Sequence, residues 1–191
     1  MDKTILFFDT ETTGLPKIWS APLTDLDNWP RLVQFASQTY SREGRLLRQF
    51  QAIVRPEGFE IPAEAAAIHG ISQERALEEG VRLIDVLRTF HEDATDAEIL
   101  VAHNIQYDVN IMGSELIRAK FEPIQPPRRK ICTMKESIQF CALPRMKRPK
   151  LVELHHKLYG CGFEGAHDAM NDVAATAKCF WKMVALGIIK I

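Results

Sequence analysis

The stretch Thr4-Ile5-Leu6-Phe7-Phe8-Asp9-Thr10-Glu11-Thr12-Thr13-Gly14 runs an apolar strand straight into two carboxylates. Thr4 to Phe8 are β-branched or apolar without alternation, which suits a central strand covered on both faces. Asp9 ends the run, and a carboxylate at the end of a buried strand is costly unless something compensates it. If the chain stays extended through Thr10, the period of two turns Asp9 and Glu11 to one side, where their oxygens can converge on a divalent metal. Taken alone, Asp-x-Glu reads as readily as a strand entering a Thr/Gly turn with two solvated acids.

Around this stretch the chain has the size of one domain with a full core: 191 residues, 46% hydrophobic and 26% charged. A single domain over 1–191 is expected, and disorder is excluded. The net charge of −1 advertises no nucleic-acid partner, yet it is unevenly spread. Between Pro123 and Lys150 there are eight basic residues (Arg128, Arg129, Lys130, Lys135, Arg145, Lys147, Arg148, Lys150) and one acidic, Glu136. Acids cluster instead at Glu74 to Glu79 and Glu92 to Glu98. Four cysteines lie 9, 20 and 18 residues apart, a spacing that gives neither a zinc site nor a disulfide framework. The N-terminal apolar run is too short for a signal-peptide core or a membrane span. A cytoplasmic protein with no membrane partner is therefore expected.

After Gly14 a loop holding Trp19, Pro22 and Trp29 reaches Pro30, with a role either in covering a site or only in packing on itself. Leu32 to Tyr40 and Leu46 to Val54 read as a hairpin. A short helical stretch follows Ile61-Pro62 and ends at Ile68-His69-Gly70-Ile71, with Ser72 able to cap the next turn. A helix is expected from Val81 to Glu92. Glu98 to Ala102 repeats the opening pattern, a short apolar strand ending at His103, Asn104 and, after Tyr107, Asp108. Asp108 opens an amphipathic run, where a helix dipole alone would favour it. A proline-rich connection over 124–127, an edge strand Lys130 to Thr133, a helix Met134 to Phe140, a basic loop Pro144 to Pro149 and a helix Lys150 to Tyr159 come next. The last long helix starts after His167, capped by Asp168, with Asp172 in its first turn. Five residues turn a helix about 140°, so His167 meets Asp172 only by bending back from the entering loop. A loop histidine and a dipole-friendly acid are the plainer readings. Strands that return through helices after an initial hairpin give an α/β or α+β sheet domain.

Phe8-Asp9-Thr10-Glu11-Thr12-Thr13-Gly14, Val101-Ala102-His103-Asn104-x3-Asp108 and His167-x4-Asp172 together resemble the three motifs of the DnaQ-like, DEDDh 3′-to-5′ exonucleases. Ile68-His69-Gly70-Ile71-Ser72 resembles a further His-Gly-Ile element of that family. The resemblance implies a ribonuclease-H-like α/β fold, a mixed sheet of strand order 3-2-1-4-5 flanked by helices. It implies hydrolysis of phosphodiester bonds from the 3′ end of single-stranded DNA, with release of nucleoside 5′-monophosphates. Asp9, Glu11, Asp108 and Asp172 would hold two divalent cations, Mg²⁺ or Mn²⁺, and His167 would be the general base. Carboxylates gathered so closely repel by ~4 kcal/mol per pair at ~4 Å and an effective dielectric of ~20, so cations are needed to keep them together. Thr12, Gly14, Leu15, His69, His103 and Asn104 take the substrate-contact positions. The partners implied are single-stranded DNA or RNA 3′ ends and, for a proofreading subunit, a DNA polymerase. An exoribonuclease or oligoribonuclease fits the same motifs, and a noncatalytic nucleic-acid-binding module would keep the fold without these five polar residues intact. Two departures stand out: Cys132-Thr133 replaces the Asp-Thr common in the family, and Lys17 to Arg31 is longer than in its shortest members.

Overall fold

A computed structural model of the chain describes residues 3–122, 124 and 128–191. It contains one five-stranded sheet built from β1 (Thr4–Thr12), β2 (Leu32–Ser41), β3 (Leu46–Ile53), β4 (Ala97–Ala102) and β5 (Arg129–Cys132). The spatial order is β3-β2-β1-β4-β5, as expected. β1 to β3 pair antiparallel, while β4 and β5 run parallel to β1. The expected hairpin is β2 and β3. Helices α1 (Ala63–His69), α2 (Gln73–Glu79) and α3 (Leu83–Asp96) lead to β4, and α4 (Ile105–Arg118) leads away from it. Two four-residue helices, α5 (Thr133–Glu136) and α6 (Ile138–Cys141), then α7 (Leu151–Tyr159) and α8 (Ala169–Ala185) complete the chain.

The alternation of β1 sorts these helices onto two faces. Leu6 and Phe8 join Val86, Leu87 and Phe90 of α3 and Ile111 and Met112 of α4 in one buried cluster. Ile5 and Phe7 join Leu154 of α7 and Val173, Ala177 and Phe180 of α8 in another. Burying an apolar side chain of this size stabilises the fold by about 1.5–3 kcal/mol, so the central strand is anchored from both sides. Beyond Phe8 the strand continues to Thr12, and the same parity turns Asp9 and Glu11 toward α8 and Thr10 and Thr12 toward α4. Because β1, β4 and β5 are parallel, their carboxyl ends share one edge of the sheet, where ligands collect in open α/β sheets.

Some boundaries differ from the periodicity. α3 begins at Leu83 and runs to Asp96, four residues past the expected end. The helix expected over Met134 to Phe140 is broken at Ser137, whose hydroxyl donates back to the carbonyls of Thr133 (2.7 Å) and Met134 (3.2 Å). Of the expected proline-rich connection, 125–127 lie outside the described residues. No helix among the described residues is long and apolar enough to cross a membrane.

Candidate active site

Asp9 and Glu11 sit at the end of the central strand with Asp108 from α4 and Asp172 from α8. Asp108 is buried, and its Oδ1 accepts from the Thr10 backbone N–H (3.1 Å) and the Thr10 hydroxyl (2.8 Å). The even-numbered residues of β1 therefore fix the α4 carboxylate, while the odd-numbered ones supply Asp9 and Glu11. Asp9 keeps a small accessible face but is crowded by protein elsewhere. Burial holds its pKa well above the ordinary carboxylate range, reinforced by Asp108, Asp172, Glu11 and Asp168. Burial and the negative charges of Asp172, Asp108 and Asp168 push Glu11 up to about 8. Asp108 rises to about 7, again chiefly through burial, although the Thr10 hydrogen bonds pull the other way. Asp172 rises to about 6, with burial opposed by His167. Every influence acting on Asp9 and Glu11 raises them, so the carboxylates are held together against their own repulsion.

Asp168 carries more weight than its reading as a cap suggested. Its Oδ1 caps α8 by accepting from the Met170 and Asn171 N–H groups, both at 3.1 Å. Its Oδ2 accepts from Gln51 (3.2 Å) and Gln34 (3.4 Å), and the Gln34 Oε1 accepts from Ala169 N–H (3.1 Å). Gln34 is the β2 partner of Glu11, so the start of α8 is tied to the strand beside the site. His167 does bend back as the spacing requires. It takes a left-handed backbone (φ 70°), costly for a residue with a side chain, and its N–H donates to Asp172 Oδ2 at 3.1 Å. Gly165 supplies another left-handed step (φ 69°), where a Cβ would fall 2.3 Å from Asn171 Nδ2. The result brings Glu11, His167 and Asp172 together, with one ligand-type atom of each within 4.8 Å of the other two. This carboxylate-rich donor set fits a hard divalent cation.

A cleft of about 520 Å³ opens beside Glu11 and is lined by Thr12, Gly14, Leu15, Ile68, His69 and Tyr107, among others. Four residues singled out in the sequence for substrate contact thus meet in one space. Thr12 and Tyr107 hydroxyls both reach the Gly14 carbonyl, at 2.8 and 2.7 Å, and touch each other. Tyr107 was not singled out in the sequence; its place one residue before Asp108, on the first turn of α4, is the signal that marks it. The His69 Nδ1 accepts from Ile71 N–H (3.2 Å), whereas its buried Nε2, near the Thr12 carbonyl, has no well-formed hydrogen bond.

His103 and Asn104 lie elsewhere on the same sheet edge. The His103 ring bridges Thr133 Oγ1 and the Pro149 carbonyl, both at 3.0 Å, and burial lowers it to about 4. The neutral ring donates from Nε2 to Pro149, leaving Nδ1 to accept from Thr133. His103 thereby fastens the basic loop to β4. Asn104 takes a left-handed conformation (φ 77°) between β4 and α4, and its carbonyl accepts from Tyr107 N–H at 2.8 Å. Within the basic loop Lys147 pairs with Glu153 (3.0 Å), and Arg148 is exposed.

Comparison with known proteins bears on this arrangement. The exonuclease family RNase_T matches residues 6–180. The chain is 29% identical to the PolC-type DNA polymerase III of Streptococcus thermophilus over 180 residues, and 27% identical to that of Listeria innocua over 184. These alignments cover 93% and 96% of this chain but 11% of each relative, so the chain spans about a tenth of their length. Among solved structures, E. coli exonuclease I in complex with a dT13 oligonucleotide aligns with TM-score 0.75 at 22% identity, covering 96% of this chain and 41% of that one. Exonuclease I from Methylocaldum szegediense aligns with TM-score 0.75 at 20% identity, covering 96% and 40%. The sheet order and flanking helices match the ribonuclease-H-like fold of exonuclease I, and with the family match across nearly its whole length, the chain belongs to the DnaQ-like exonucleases.

Proposed function

We propose that the protein is a divalent-metal-dependent 3′-to-5′ exonuclease of the DEDDh type that shortens single-stranded DNA and releases nucleoside 5′-monophosphates. The observation that carries this reading is the convergence of four carboxylates from β1, α4 and α8 at one end of the central strand, with ligand atoms of Glu11, His167 and Asp172 within 4.8 Å of one another. Asp9, Glu11, Asp108 and Asp172 are the residues that would hold two divalent ions, Mg²⁺ or Mn²⁺. When bound, such ions neutralise the carboxylates and polarise the scissile phosphodiester.

The chain's own residues supply the rest. His167, neutral, accepts the proton of the attacking water as its oxygen bonds to phosphorus. The bond from phosphorus to the 3′ oxygen of the preceding nucleotide then breaks, leaving a 3′-hydroxyl on the shortened strand after that oxygen takes a proton from solvent. Asp172 orients His167 by accepting its backbone N–H. The cleft formed by Thr12, Gly14, Leu15, His69 and Tyr107 receives the terminal nucleotide. The oligonucleotide complex of exonuclease I and the polymerase context of the PolC relatives support a DNA substrate.

The test is 5′-end-labelled single-stranded DNA, with RNA of the same sequence alongside, incubated with Mg²⁺ or Mn²⁺ and in EDTA. A ladder shortening from the 3′ end of DNA, absent in EDTA, is expected. Internal cuts, or no metal-dependent shortening of either polymer, overturn the reading.

A further inference from the structure

The loop from Thr13 to Arg31 holds its backbone firmly and yet leaves an indole in water. Thr13 N–H donates to the Arg31 carbonyl (3.0 Å), and Arg31 N–H returns a bond to Thr13 Oγ1 (2.9 Å). Further in, the Asn28 side chain clasps Ile18 through both its backbone groups, at 2.7 and 3.1 Å. The two tryptophans of the loop then part ways. Trp29 is 2% exposed and donates to the Pro22 carbonyl at 3.1 Å, so it packs the loop. Trp19, one residue from the clasp, is 53% exposed. Its ring leans on Tyr107 with centroids 5.9 Å apart and planes at 49°. Tyr107 and the exposed Leu15 both line the cleft beside Glu11.

A tryptophan needed only for packing would be sunk as Trp29 is, because a water-facing indole forgoes much of the stabilisation its large apolar surface offers. A held, exposed aromatic continuous with a nucleotide-sized cleft has the form of a stacking surface. We propose that Trp19 is a platform on which a base of single-stranded DNA stacks, upstream of the scissile phosphodiester. This rests on the exonuclease reading and adds a residue that determines the form of the substrate. The strand leaves the cleft past Tyr107 and Leu15 and lays a base on the indole. Paired bases of a duplex are already stacked on their neighbours and cannot present a free face, so the platform selects single strands irrespective of sequence.

The experiment compares the wild type, Trp19→Ala and Trp19→Phe on a thymidine decamer with Mn²⁺, with melting curves to establish that each is folded. Loss of one base–aromatic stack raises KM about tenfold in Trp19→Ala, leaves kcat within about twofold, and is largely restored by Trp19→Phe. The increase is nearly the same at low and high salt, unlike loss of a phosphate contact. Scanning a single abasic residue along the decamer locates the stacked base, because there Trp19→Ala has no further effect. Independently, the decamer quenches wild-type tryptophan emission in EDTA, and the quenching is lost in Trp19→Phe. An unchanged KM in folded Trp19→Ala, or a phenylalanine that fails to rescue, overturns the platform while wild-type turnover leaves the exonuclease reading standing. Quenching without any wild-type turnover does the reverse, retaining a DNA-binding indole and removing the exonuclease.

Discussion

Metal-free protein should lose stability as pH rises, and Glu11→Gln should relieve that loss. Glu11 keeps its proton in the native state up to about 8, whereas the unfolded chain releases it near 4.5. Between those values the native state binds more protons than the unfolded one, so stability falls as pH increases and the penalty is complete above the upper value. At ~1.4 kcal/mol per pH unit of displacement, Glu11 taken alone costs on the order of 5 kcal/mol at pH 8.5, a large share of a typical ~5–15 kcal/mol. Asp108 (3.8 to about 7) and Asp172 (3.8 to about 6) act in the same direction over lower windows. Since these groups repel one another, they share the protons taken up and their penalties do not add. Urea denaturation of both proteins in EDTA at pH 5 and 8.5 measures the effect, and the difference between them contains the titration of Glu11 together with the relief of its repulsion on Asp9. Glu11→Gln should exceed the wild type by roughly 2–4 kcal/mol at pH 8.5 and by no more than about 1 kcal/mol at pH 5. Millimolar Mn²⁺ at pH 8.5 should restore most of the wild-type loss. Equal stability of the two proteins at pH 8.5 would refute the claim that this site stores carboxylate repulsion.

The two neighbouring acids should separate by their hydrogen bonds. Asp9→Ala abolishes turnover and leaves or raises metal-free stability, whereas Asp108→Ala abolishes turnover and also costs about 1–3 kcal/mol, because it strands the Thr10 donors. Chemical denaturation in EDTA distinguishes them, and equal stabilities would remove the structural part assigned to Asp108. His167→Ala should lower turnover on the order of 10²-fold while oligonucleotide binding and Mn²⁺-induced stabilisation persist. Near-normal single-turnover rates in that variant would exclude His167 as the base. Lys147→Ala with Arg148→Ala should weaken single-strand binding for all sequences and flatten the slope of log affinity against log salt. An unchanged slope would place the phosphate path elsewhere.

The strand, its two acids and the parity that points them to one side are legible in the sequence because strand geometry is local and periodic. Sheet order was legible only through the family likeness, since nothing in Leu32 to Val54 states which edge the hairpin joins. What escaped depends on contacts across the chain. Asp168 reads as a helix cap and is one, yet its charge also bears on Asp9 and Glu11, which spacing cannot reveal. Ser137 looks helical by composition, but its hydroxyl returns to the previous turn and breaks the run. Trp19 and Trp29 are indistinguishable by residue type, and only the clasp at Ile18 and the bond to Pro22 separate the exposed ring from the buried one.

The amide of Thr10 lies in the central strand and donates to a buried carboxylate, while the amide of His167 lies in an exposed loop and donates to Asp172. Thr10 is buried and its amide is freed only when the first turn of α4 lifts from β1, whereas the amide of His167 is freed by a local opening of its loop. The acids of β1 and the histidine therefore belong to two different levels of opening free energy in one site. The opening that frees Asp108 from Thr10 takes apart packed core, whereas the loop that carries His167 opens at lower cost. Deuterium uptake at these two amides reads the two levels separately in the same protein.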